Sequence, residues 1–84
     1  MIVNENTNIK EWYMEEYPDD EVGATLNDDI TFEGLFEVLD SYGDVYEYLG
    51  GDADSVVRER CFAKLAEIMQ VDYNYIYDQW LLCN

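Results

Sequence analysis

The stretch Asp54–Met69, DSVVRERCFAKLAEIM, constrains the chain most, because it is the longest segment with a strong helical pattern. On a helical wheel Val57, Cys61, Phe62, Leu65, Ile68 and Met69 share a broad apolar arc, with Arg60, Lys64 and Glu67 opposite. Asp52, Asp54 or Ser55 can cap its start. Arg58 breaks the pattern. It falls near the middle of the apolar arc, in line with Cys61, Leu65 and Met69. An arginine there must snorkel to water or meet a carboxylate. Asp40, Asp44 and Asp54 are the expected partners of such a structural ion pair, while Arg60 and Lys64 are expected to face outward. The fold this predicts is all-α: a compact bundle of four to five short helices around a central helix near residues 54–69.

The flanking segments supply the shorter helices. Met1–Asn6 reads as a loose end. Thr7 or Asn8 can cap a helix that runs to about Tyr17, with Ile9, Trp12, Tyr13 and Tyr17 on one face. Pro18 stops it. Asp19–Asp29 is an acidic linker that Val22 and Leu26 can pin to the core. Thr31 caps a helix over Phe32–Tyr42, which Gly43 closes; Phe32, Leu35, Phe36, Leu39 and Tyr42 form its stripe. Gly34, near its start, can permit a close helix approach. Asp44 and Glu47 fit a capping box before a short helix, Val45–Leu49, ended by Gly50-Gly51. Asp72 caps the last helix, Tyr73–Leu82, whose stripe is Tyr73, Ile76, Tyr77 and Trp80, widened by Leu81.

These 84 residues make one domain, 1–84, with a modest core. Hydrophobic residues are 49% of the chain, too many for a disordered acidic tail. No apolar run approaches a membrane span, and MIVNENTN lacks the build of a signal peptide. Cys61 and Cys83 make no disulfide framework, so reduced thiols in a cytoplasm are expected.

Charge is the clearest functional signal. Twenty acids against four bases leave −16. Residues 1–54 carry 16 of the acids and only Lys10 among the bases. Such a surface repels phosphate, which argues against direct binding to nucleic acid or an anionic membrane. It favours a basic partner. A net charge of about 2–8 already keeps a small domain soluble, so solubility alone does not account for this excess.

Catalytic and metal chemistry find little support. Histidine, the commonest general base and metal ligand, is absent. Ser41 and Ser55 have no obvious base partner, and the cysteines lack zinc-site spacing. Neither Asp19–Gly23 nor Asp40–Asp54 matches a calcium-binding EF-hand loop. Gly50-Gly51 has no nearby lysine to complete a phosphate cradle. The chain therefore reads as non-catalytic, without cofactor or metal.

Charge mimicry remains. A domain of this length has a diameter of roughly 30 Å, and that length of duplex DNA carries roughly 17 negative charges. Glu33, Glu37 and Asp40 line one side of the second predicted helix, and Asp44 and Glu47 continue the row. With Glu15, Glu16, Asp19, Asp20, Asp28 and Asp29 they form the expected partner-binding acids, while Tyr46 and Tyr48 can stack where bases do.

The runs IKEWYMEEYP, DVYEYLG, SVVRER and YIYDQWL together resemble small acidic proteins carried by bacteriophages and integrative elements of gut and other Gram-positive bacteria. The resemblance spans most of residues 9–82 and brings no catalytic motif. It implies a mobile-element product working in a bacterial cytoplasm. By analogy it implies an anti-CRISPR or anti-restriction inhibitor that mimics nucleic acid and occupies the basic groove of a bacterial defence protein. Two other readings fit the composition. One is a small helical adaptor binding a protein through tyrosine-rich apolar surface; the other is a divalent-ion sensor.

Overall fold

The computed structural model describes residues 2–82 of the chain. Each of the first four helices begins where a polar side chain can satisfy the orphan backbone N–H groups of a first turn. Asn8 caps α1 (Ile9–Glu16) by accepting from the Glu11 N–H at 2.9 Å. Thr31 caps α2 (Phe32–Asp40) through Gly34 N–H at 3.0 Å. Asp44 caps α3 (Val45–Leu49) through Glu47 N–H, and Asp54 caps α4 (Ser55–Met69) through Val56 and Val57 N–H, all at 3.1 Å. α5 spans Tyr73–Leu82. Between α1 and α2 the expected linker contains a 3-10 turn, Glu21–Thr25, capped by Asp20. Five α-helices and no strand occur among the described residues, so the bundle is all-α.

α4 is the spine. It buries Val57, Arg58, Cys61, Phe62, Leu65 and Ala66. α5 turns back after Gln70 and runs antiparallel along it, bringing Trp80 to Phe62 at a centroid distance of 6.1 Å. α1 contributes Ile9, Trp12 and Tyr13 to the same core, α2 Phe32, Leu35 and Leu39, and α3 Val45 and Leu49. Burying full-sized side chains from every helix is what holds so short a chain together, at roughly 1.5–3 kcal/mol each.

Four expectations need revising. Residues 3–6 are not loose: Asn4 to Thr7 forms a hydrogen-bonded turn, Glu5 C=O accepts from Glu33 N–H at 2.8 Å, and Val3 packs on the core. α2 ends at Asp40, and the left-handed residue that follows is Tyr42 (φ 58°), not Gly43. Gly43 is needed for closeness instead. Its N–H reaches Val38 C=O at 2.7 Å, and an added Cβ would lie 3.0 Å from Val38 Cγ1. Leu81 does not widen the α5 stripe but stands 49% exposed, because α5 buries fully only Ile76 and half-buries Tyr73, Tyr77 and Trp80. Cys61 is buried in α4, whereas Cys83 and Met1 lie outside the described residues.

Gly34 does permit a close approach. A Cβ there would overlap the Tyr48 hydroxyl, which accepts from Thr31 N–H at 3.1 Å and donates to Thr31 C=O at 3.3 Å. Tyr48 thereby docks α3 against the Gly34 side of α2. The turn Gly50-Gly51, both at positive φ, passes so close to Thr25 that a side chain on Gly51 would collide with its carbonyl.

Candidate partner-binding surface

All four basic side chains are engaged inside the fold. Lys10 meets Asp28 at 2.7 Å, Arg60 meets Asp20 at 2.9 Å and Lys64 meets Glu67 at 3.2 Å. Among the described residues the carboxylate contact of Arg58 is Glu59, at 3.7 Å. With the cations consumed this way, the acidic excess is left to the surface.

Arg58 behaves differently from the expected carboxylate clamp. Its carboxylate contact is Glu59, one residue along, rather than Asp40, Asp44 or Asp54. The side chain is 6% exposed and sits in an aromatic box. Its guanidinium carbon lies 4.0 Å from the Trp80 ring centroid, 5.3 Å from Phe62 and 5.8 Å from Tyr77. Nε donates to the Tyr46 hydroxyl at 3.2 Å, while buried Nη1 has no hydrogen-bond partner among the described residues. The reason is position. The middle of the α4 apolar arc faces α5, whose contribution there is aromatic, and a ring face supplies the electrostatic attraction that a carboxylate would otherwise give.

Arg60 does not simply face out. It reaches α1 and the following turn, donating from Nη1 to the Tyr13 hydroxyl at 2.8 Å and to Asp20, with Tyr17 4.1 Å beneath its guanidinium. Tyr13 donates to Asp20 Oδ2 at 2.6 Å. Burial and the hydrogen bond to Asp20 push the Tyr13 phenol up to about 12. The same Tyr13 hydroxyl, then Val22 N–H and Arg60, hold the Asp20 carboxyl below its ordinary range. Lys10 likewise holds the Asp28 carboxyl low. The cluster ties three segments together, so Asp20 and Asp28 serve the fold as well as the surface.

The remaining acids do not form one continuous face. Glu33, Glu37 and Asp40 are exposed on one side of α2. Asp44 and Glu47 do not continue that row, because α3 packs on the Gly34–Val38 side of the helix. They join Asp28 and Asp29 around a groove of about 630 Å³ instead. A third group, Glu16, Asp19 and Asp20 with the unforeseen Glu21, surrounds a cleft of about 710 Å³ that also contains Arg60. Glu15 is exposed on α1. Periodicity within α2 reveals the first group. The second depends on which side of α2 receives α3, which no local pattern encodes.

Tyr46 and Tyr48 are half-buried and committed to Arg58 and to Thr31 respectively. The exposed aromatics are Tyr42 at 65% and Tyr75 at 50%. Tyr42, next to Asp40 and Asp44, is a surface residue that apolar patterning wrongly assigned to the core stripe.

Burial pushes the Cys61 thiol up to about 12, far from the thiolate a nucleophile needs. Among the described residues no group of three or more Cys, Asp or Glu side chains is arranged to hold a metal ion, and no helix is long and apolar enough to cross a membrane. Comparison with protein-family models, with curated proteins and with solved structures gives no match for this chain.

Proposed function

We propose that this protein is a non-catalytic inhibitor that occupies the basic nucleic-acid groove of a bacterial defence protein, such as a CRISPR effector or a restriction enzyme. In this reading it is the product of a phage or mobile element acting in the host cytoplasm. The observation that carries it is the amount of net charge on so small a body. Every lysine and arginine is engaged within the fold, so −16 is presented by a body of 31 × 25 × 20 Å. A DNA duplex as long as its longest dimension would carry about 18 charges. A groove built for phosphates meets a comparable charge at comparable size. The test is binding to a CRISPR effector or restriction enzyme, with nucleic acid as competitor. Association should be fast at low salt and fall steeply as salt rises, and reversing Glu33, Glu37, Asp40 and Asp44 to lysine should weaken it by orders of magnitude. Unchanged binding by that variant removes these four residues as the binding face.

An adaptor role has its own supporting observation. Tyr75, Leu81 and Leu82 are 50%, 49% and 66% exposed on α5, in the half of the chain with little net charge. Binding through that surface would persist at about 0.5 M salt, where charge attraction is screened within a few ångströms.

A further inference from the structure

The groove between α2, α3 and the 27–30 segment has a bed of partly apolar side chains beneath its acidic rim, as the Glu16–Glu21 cleft has in Tyr17, Pro18 and Val22. Ile30 is 3% exposed and Val38 is half-buried, so both lie below the rim. The Tyr48 ring lines the same groove, anchored by its hydroxyl on the Thr31 backbone. Gly43 keeps the wall thin next to Val38. Above this bed stand Asp29, Asp44 and Glu47, all exposed. Asp28, the fourth carboxylate, is taken by Lys10. Because Arg58, Arg60 and Lys64 are paired elsewhere, no lysine or arginine of the described chain balances the other three.

We propose that this groove is the docking site for an arginine-bearing basic segment of the partner protein, with the arginine stem on Val38 and Tyr48 and its guanidinium held by Asp29, Asp44 and Glu47. The inference rests on the reading that the partner is basic, and deepens it by naming the site and the side chain. Three features select the occupant. The rim carries uncompensated negative charge, which demands a cation. The bed includes Val38 and Tyr48, which suit a long stem and a flat, weakly hydrated head. Several carboxylates around one opening suit a planar fork of donors better than a compact ammonium. The Glu16–Glu21 cleft is the weaker candidate, because Arg60 already occupies it.

The test uses the full chain with labelled poly-arginine and poly-lysine peptides of equal length, followed by fluorescence anisotropy at low and at physiological salt. Two double variants remove equal charge: D29N/E47Q in the groove and E33Q/E37Q on the outer side of α2. Neither touches a helix cap, and circular dichroism verifies folding. Poly-arginine should bind more tightly than poly-lysine, and D29N/E47Q should weaken it about tenfold, with E33Q/E37Q weakening it far less. Equal weakening by the two variants, or no preference for arginine, overturns the groove while leaving a basic partner in place. Absence of binding by either peptide at low salt overturns both.

Discussion

The Arg58 guanidinium lies 4.0 Å from the centre of the Trp80 ring, deep between α4 and α5, with one of its terminal nitrogens unbonded among the described residues. This contact joins the last helix to the spine. A desolvated cation on an indole face contributes roughly 2 kcal/mol, but a buried charge whose nearest carboxylate is 3.7 Å away also carries a desolvation cost. Truncation and replacement should therefore diverge. Arg58→Ala leaves Trp80 and Phe62 facing a void and should cost about 2–5 kcal/mol, more than Arg60→Ala, whose side chain is 33% exposed. Arg58→Met fills the box without the charge and should match or exceed the parent by up to about 4 kcal/mol. Urea unfolding of the three variants decides. A loss in Arg58→Met as large as in Arg58→Ala would mean that the charge itself stabilises the box.

Tyr13 gives the molecule an alkaline signature. Its folded phenol sits at about 12 against an ordinary 10.0, so the folded state favours the protonated form. The stability this contributes is complete below pH 10 and disappears as pH rises from 10 toward 12. Of eight tyrosines, Tyr13 should ionise late in an ultraviolet titration, and Tyr13→Phe should delete that late step. A titration curve unchanged by the substitution would place the late phenol elsewhere.

Acid works with the opposite sign. Asp20 and Asp28 are held below their ordinary 3.8, so their contribution is present above about pH 4 and is lost as pH falls below it. Asp20→Asn should lower the melting temperature at pH 7 and leave it nearly unchanged at pH 2. An equal loss at both values would trace the effect to the cap on Val22 rather than to charge.

Gly34 tests how α3 is held. Alanine is favoured over glycine in a helix by about 1 kcal/mol, yet a Cβ here overlaps the Tyr48 hydroxyl. Gly34→Ala should therefore destabilise by about 1–3 kcal/mol. Combined with Tyr48→Ala, it should cost less than the sum of the single changes, since the collision has been removed. Additive melting data would refute the close packing of α2 and α3.

Self-repulsion among the surface carboxylates is screened by salt. Added sodium chloride should raise the melting temperature at neutral pH, most steeply at low ionic strength. A flat response would show that the acids repel one another little.

Helices were legible where local chemistry is self-sufficient. Val45–Leu49 and Tyr73–Leu82 match the expected bounds, and Asn8, Thr31, Asp44 and Asp54 cap from positions their side chains suggest. The end of α2 was misplaced, because Tyr42 takes the left-handed conformation that glycine favours and so leaves the helix two residues early.

For the site the division falls elsewhere. The sequence by itself determined that the protein is helical around Ser55–Met69, that it is strongly acidic, and that Arg58 lies in an apolar arc. These properties follow from composition and from a period of 3.6 residues, which act along the chain. Only the tertiary structure decided that Arg58 rests on Trp80, that Arg60 joins Tyr13 and Asp20, and that Asp44 and Glu47 meet Asp29 rather than extend the row of Glu33, Glu37 and Asp40. Each of these depends on which faces of two helices meet, and that is settled by packing between residues far apart in sequence.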